Sequence, residues 1–161
     1  MIMNFQSVSQ IKEAGFFGFV RIEDLYNSGY SSVPERGGVY LILRVSDAKP
    51  VFVSKGTGGY FKGKEPNVSI DELKSNWVDG TCVMYIGKSS NLRKRVSAYV
   101  RFGHGKNVGH FGGRLIWQLY DCHDLIVCWK PTDNDSRMEE ASLIQEFVDY
   151  YGMRPFANLQ D

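Results

Sequence analysis

A strand that runs straight into a capped helix leaves a chain few ways to fold. Val83–Ile86 is a short buried-strand pattern ended by Gly87, and Ser89, Ser90 and Asn91 follow at once as N-cap side chains. Leu92, Val96, Tyr99 and Val100 then recur at helical spacing, with Arg93, Lys94, Ser97 and Arg101 mostly on other faces. Gly38–Arg44 is a β-branched and aromatic run, hence a second strand; Leu125–Lys130 is a third, and Val51–Ser54 a weaker candidate. Ser136-Arg137-Met138-Glu139 reads as a capping box with Ser136 at the N-cap. Met138, Ala141, Ile144, Phe147, Val148 and Tyr151 continue that helix, with Gly152 at C′ and Pro155 forbidding continuation. This order predicts an α/β (α+β) fold, a small mixed sheet with helices packed over it.

The remaining segments carry weaker signals. Residues 1–36 read as a polar entry arm with a short helix near Ser9–Ala14 or Ile22–Tyr26, and residues 29–38 as a loop. Residues 55–70 are rich in Gly, Lys and Pro and are expected to form a loop. Gly103, Gly105, Gly109, Gly112 and Gly113 mark a mobile loop, and Arg114–Leu119 is either a short helix or a strand. The 161 residues suit one domain, 1–161, large enough to bury a core without staples. No stretch approaches the roughly 18 apolar residues of a membrane span, and no secretory signal is visible, so a bacterial-type cytoplasmic address is the expectation. Cys82, Cys122 and Cys128 are odd in number and irregular in spacing, which predicts buried thiols rather than disulfides or a zinc site. The three scattered histidines propose no transition-metal cage.

The net charge of +1 conceals a segregation. Between Asp79 and Asp121 there is no acidic residue, while Lys88, Arg93, Lys94, Arg95, Arg101, Lys106 and Arg114 give a local sum of +7. The rest of the chain sums to −6. A positive block of this kind is the footprint of a polyanionic partner, against the plainer reading of a solvated helix face. The glycine-rich stretch lacks the spacing of a P-loop or a dinucleotide fingerprint, which disfavours nucleotide cofactors.

With Gly38-Val39-Tyr40 and Tyr85-Ile86-Gly87, then Lys88, Asn91-Leu92, Arg95, Tyr99, Glu140-Ala141-Ser142-Leu143-Ile144 and Pro155-Phe156-Ala157-Asn158, the chain resembles the GIY-YIG nuclease superfamily. The resemblance covers Gly38–Arg44 and roughly Met84–Asn158. It extends to an uncharacterised bacterial subgroup sharing a stretch like Arg101-Phe102-Gly103 and Gly109-His110-Phe111-Gly112-Gly113-Arg114. The departure is that Tyr40 and Tyr85 stand 45 positions apart, so residues 45–81 look like an insertion between the signature strands.

The resemblance implies a metal-dependent endonuclease hydrolysing DNA phosphodiesters. Glu140 would hold a single divalent ion, Mg²⁺ or Mn²⁺, and Mg²⁺ suits one carboxylate because it keeps most of its waters. Glu139, already used in the cap, faces away from Glu140. Arg95 would bind the phosphate with its planar fork. Tyr40 and Tyr85 would flank the attacked phosphorus, one as base and one orienting the water. A phenol has a reference pKa near 10, so this needs a cation, and Lys88 is nearest in sequence. Tyr99 adds a hydroxyl one turn beyond Arg95, and Asn158 would tie the C-terminal segment to the site. Arg93, Lys94, Arg101, Lys106 and Arg114 read as charges along the nucleic-acid backbone. His110 either caps the following segment or reaches the substrate.

The insertion carries Tyr60-Phe61 among Lys55, Lys62 and Lys64 and ends in a helix-like Ser69–Trp77, with Ser69 and Glu72 as a capping box. Interleaved aromatics and lysines suit base stacking beside a tracked backbone. The alternative for Phe61 and Trp77 is packing onto the sheet. Two other functions stay open at this point, a non-catalytic nucleic-acid-binding module and a protein-interaction module. The sequence leaves the oligomeric state unknown.

Overall fold

All six residues of the strand Gly38–Leu43 are buried, which an alternating strand achieves only when both faces of its sheet are covered. In the computed structural model, which describes residues 3–159, that is its position. The outermost two residues at each end of the expected 1–161 domain, including the first two of the 1–36 arm, lie outside the described residues.

The elements are α1 (Val8–Glu13), β1 (Phe17–Arg21), α2 (Ile22–Ser28), β2 (Gly38–Leu43), α3 (Ile70–Asn76), β3 (Val83–Ser89), α4 (Leu92–Phe102), β4 (Ile126–Pro131) and α5 (Ser136–Tyr151). Single 3-10 turns occupy Phe61–Gly63, Arg114–Gln118 and Cys122–Asp124. The four strands form one antiparallel sheet in the order β1-β4-β2-β3, so the fold is α+β. Tyr40 and Ile42 join a core with Ile22, Leu25, Leu92, Val96 and Tyr99 under α2 and α4. Val39, Leu41 and Leu43 join the other, with Phe5, Ile11, Ile86 and Phe147 under α1 and α5. No helix among the described residues is long and apolar enough to cross a membrane.

Both short N-terminal helices exist, as α1 and α2. The entry arm also contains β1, which carries no alternating signal. Phe17 is exposed, Gly18 and Phe19 have φ of 96° and 60°, and the register to β4 shifts between Gly18 and Val20. A bulge of this kind breaks the period-2 pattern. Gly18 is required there because the Trp129 indole packs across its backbone. The weak strand at Val51–Ser54 is only a bridge from Phe52 to Leu119. Arg114–Leu119 resolves as a 3-10 turn.

The helix caps show two agreements and one correction. Asn91 caps α4 and accepts from Lys94 N at 3.1 Å; Ser69 caps α3 and accepts from Glu72 N at 3.1 Å. At α5 the N-cap is Asp135, which accepts from Arg137 N at 2.9 Å, and Ser136 is the first helical residue. Asp135 is preferred because a carboxylate also complements the helix dipole. Gly152 ends α5 in the left-handed region at φ 76°.

One buried amide gathers two parts of residues 45–81. Gln118 Nε2 donates to Val53 O at 3.1 Å and Val68 O at 2.9 Å, and its Oε1 accepts from Val68 N at 2.8 Å. Trp77 packs on Phe156 at 5.3 Å and Phe52 at 5.8 Å, so this tryptophan faces the body of the protein.

Candidate active site

The site starts from a missing side chain. Tyr40 and Gly87 are cross-strand partners in the β2–β3 register. Any Cβ at Gly87 would overlap the Tyr40 ring, so the ring lies across the space this glycine leaves. Tyr85, two residues earlier on β3, shares that face with its ring 6.0 Å from Tyr40. Tyr99 of α4 closes the group at 6.2 Å from Tyr40 and 5.3 Å from Tyr85. Arg95 lies one turn before Tyr99 and donates to Gly109 O at 3.2 Å.

Tyr40 and Tyr99 are fully buried, and Tyr85 is only partly so. Burial pushes the Tyr40 and Tyr99 hydroxyls well above their ordinary range, and the Arg95 charge opposes this at both. Tyr85 is also raised, first by burial and then by the negative charge of Glu140, with Arg95 pulling it down. Arg95 and Glu140 thus act on one phenol from opposite signs. Glu140 sits half-buried on α5, whereas Glu139 turns toward Lys130 at 3.8 Å.

Lys88 takes a different place from the one its position in sequence suggests. β3 runs through Gly87 to Ser89, so strand alternation puts Lys88 on the face of Ile86 beneath α5. Its charge acts on Asp135, while Arg95 is the cation acting on Tyr40 and Tyr85.

His110 is fully buried, so it cannot track a nucleic-acid backbone. Its Nε2 is 3.0 Å from the Tyr40 hydroxyl and its ring stacks on Tyr99 at 4.1 Å. Burial, then the charge of Arg95, lowers its pKa from 6.5 to about 3. Between those values the unfolded chain binds the proton and the folded chain does not. Stability therefore falls as pH drops through 6.5, by up to about 1.4 kcal/mol per pH unit. Between pH 7 and pH 5 the parent should lose about 2 kcal/mol more than His110→Asn in urea denaturation. Equal losses in both proteins would show that another group controls acid stability.

The glycine loop is anchored at Gly109 and Gly113. Tyr99 donates its hydroxyl proton to Gly113 O at 2.6 Å, so this hydroxyl is spent on holding the loop. Gly113 has φ of 73°, and a Cβ there would lie 2.5 Å from the Tyr99 hydroxyl. Phe111 carries the Arg114 guanidinium 4.2 Å above its ring and Lys64 at 5.8 Å. Partial burial lowers the Arg114 pKa, and its Nε has no hydrogen-bond partner.

Of the other basic residues, Arg93 is committed to structure. It donates to Val33 O at 2.8 Å and Ser31 O at 3.1 Å and lies 3.5 Å from Glu35. Lys94, Arg101 and Lys106 are exposed.

Asn158 ties the C-terminal segment to the open edge of β3. Its Oδ1 accepts from Ile86 N and its Nδ2 donates to Ile86 O, both at 2.9 Å, beside Ala157 N to Met84 O at 2.9 Å. These bonds satisfy backbone groups that an edge strand would otherwise leave unpaired, next to Tyr85. Asn158→Ala should cost about 1–3 kcal/mol, visible as a fall of several degrees in Tm. A change below one degree would mean that water replaces both bonds.

Over 71 residues, 44% of this chain, the sequence is 30% identical to the UvrABC system protein C of Nautilia profundicola. The chain spans 12% of that protein's length. No protein-family model and no solved structure matches the chain.

Proposed function

We propose that the protein is a nuclease of the GIY-YIG superfamily that hydrolyses DNA phosphodiesters with a divalent metal ion. The observation that carries this reading is that Arg95 and Glu140 act with opposite charge on Tyr85, beside Tyr40. A cation to bind the phosphate, a carboxylate to hold a metal ion and a phenol to orient water are groups that can catalyse phosphate hydrolysis. The limited similarity to a UvrABC system protein C is compatible with that superfamily.

In this reading Arg95 grips two phosphate oxygens. Tyr85, the more accessible tyrosine, orients the attacking water. Tyr40 is the buried partner that fixes Tyr85 and Arg95, and His110 fixes Tyr40. Asn158 and Gly87 are positioning residues, as is Tyr99. Glu140 would hold Mg²⁺ or Mn²⁺, since Mg²⁺ commonly takes one or two carboxylates and keeps most of its waters. Bound there, the ion would supply positive charge to the phosphate. Tyr60, exposed beside Lys62 and Lys64, and the Phe111–Arg114 pair extend a surface for bases and backbone.

The test is incubation of purified protein with plasmid DNA and Mg²⁺ or Mn²⁺, measuring cleavage and salt-dependent binding together. Metal-dependent cleavage is expected. Salt-dependent binding without cleavage would make it a nucleic-acid-binding module, and neither would point to a protein-interaction module.

A further inference from the structure

The insertion and the glycine loop meet on one ring. Phe102, the last residue of α4, is fully buried. On one side Gly58 packs against it, with Gly59 N donating to Phe102 O at 2.9 Å and Thr57 N to Trp117 O at 3.1 Å. A Cβ at Gly59 would collide with Lys106 O, so this close approach depends on a glycine. On the other side the Phe111 ring stands edge-on to Phe102 at 6.2 Å. The insertion is thereby brought onto the loop, with Phe61 against Gly109 and Lys64 Nζ 5.8 Å from the centre of the Phe111 ring.

Arg114 shares that ring, its guanidinium carbon 4.2 Å from the centre. The two charges are therefore within about 10 Å of each other, and like charges gathered in this way repel. Neither residue makes an ion pair among the described residues. Glu72 is the acid that acts on Arg114, and burial outweighs it. The Arg114 Nε is buried without a hydrogen-bond partner. A guanidinium that has already lost water and has no fixed counter-charge gains most from an arriving anion.

The platform adjoins the tyrosine cluster. Gly112, next in the chain to Phe111, lies against the Tyr85 hydroxyl, and Gly109 O holds Arg95. We propose that Arg114 and Lys64 form a second phosphate subsite, which binds a phosphodiester flanking the one at Arg95 on the same strand. This rests on the reading of the protein as one that acts on nucleic acid. Arg114 supplies a planar fork for two phosphate oxygens, Phe111 holds the fork in place, and Lys64 adds a point charge from the insertion. The substrate class is then a polynucleotide strand rather than a nucleotide, since a ligand with a single phosphate leaves the subsite unfilled.

The experiment measures binding of a labelled DNA duplex of about 20 base pairs to the full chain in EDTA, across a salt series. It needs no cleavage, so its result stands apart from the nuclease assignment. Lys64 is exposed, and Lys64→Ala should fold as the parent does. Arg114→Ala also frees the Phe111 ring, so Lys64→Ala is the variant that decides if Arg114→Ala misfolds. Each should weaken binding several-fold, and the double variant about tenfold at about 0.1 M salt, with the salt slope lowered by about one. Lys12→Ala, on α1 across the sheet, should change neither quantity. Parental affinity in Lys64→Ala, or a double variant with an unchanged slope, would overturn the subsite. A slope lowered by about two would overturn it as well, because it marks two separate backbone contacts. Failure of the nuclease reading would show instead as absent cleavage with this binding pattern intact.

Discussion

Arg95→Ala should reduce plasmid cleavage by about 10²–10³-fold with little loss of stability. Arg95 is the cation that acts on Tyr40, Tyr85 and His110, and its one backbone bond, to Gly109 O, is solvent-exposed. Its neighbour makes the sharper control. Arg93 spends its guanidinium on Ser31, Val33 and Glu35. Arg93→Ala should therefore cost about 1–3 kcal/mol of stability through unpaired carbonyls, with the rate of the folded fraction changed only a few-fold. Equal rate losses in the two variants at matched folding would remove Arg95 from the site.

Gly87→Ala should produce the largest structural effect of a single methyl group. The added Cβ would lie 2.3 Å from the Tyr40 Cζ, and the ring is fully buried. Overpacking of this kind costs about 3 kcal/mol, and displacing Tyr40 would also disturb Arg95 and Tyr85. Combining Gly87→Ala with Tyr40→Ala should destabilise by clearly less than the sum of the single changes, since the second removes what the first collides with. Additive effects, or a Gly87→Ala Tm within two degrees of the parent, would show that the ring does not depend on this glycine.

Sequence pattern and structure agree where local physics and packing point the same way. β2, α4 and α5 follow from their apolar periods and terminal signals, with α5 starting at a cap one residue earlier than Ser136. Tyr40, Tyr85 and Arg95 stand out in the sequence only through the resemblance to the GIY-YIG motif, and β2, β3 and α4 bring them together in the fold. β3 continues past the glycine that seemed to end it, because Gly87 accommodates the Tyr40 ring from within the strand. That two-residue extension decides the face on which Lys88 lies.

The rest depends on contacts that leave no local trace. The inward turn of His110 follows from a loop fastened by Tyr99 and Arg95, and glycine content alone reads as mobility. β1 is hidden by an exposed Phe17 and a bulge at Phe19. Glu23, His104 and His123 share no spacing in the sequence, and only the packing of α2 against α4 and the 3-10 turn Cys122–Asp124 brings Glu23 within 3.5–3.6 Å of both rings.

The most direct measurement is cleavage of supercoiled plasmid by the parent and by Glu140→Gln across a Mg²⁺ titration, with binding affinity followed in parallel. Glu140→Gln preserves the size and helix position of the side chain while removing the charge that would hold the ion and that acts on Tyr85. The account predicts Mg²⁺-dependent nicking by the parent, a loss of about 10²-fold or more in the variant, and DNA affinity unchanged within a few-fold. Nicking by Glu140→Gln at the parental rate and with the parental Mg²⁺ dependence would contradict it.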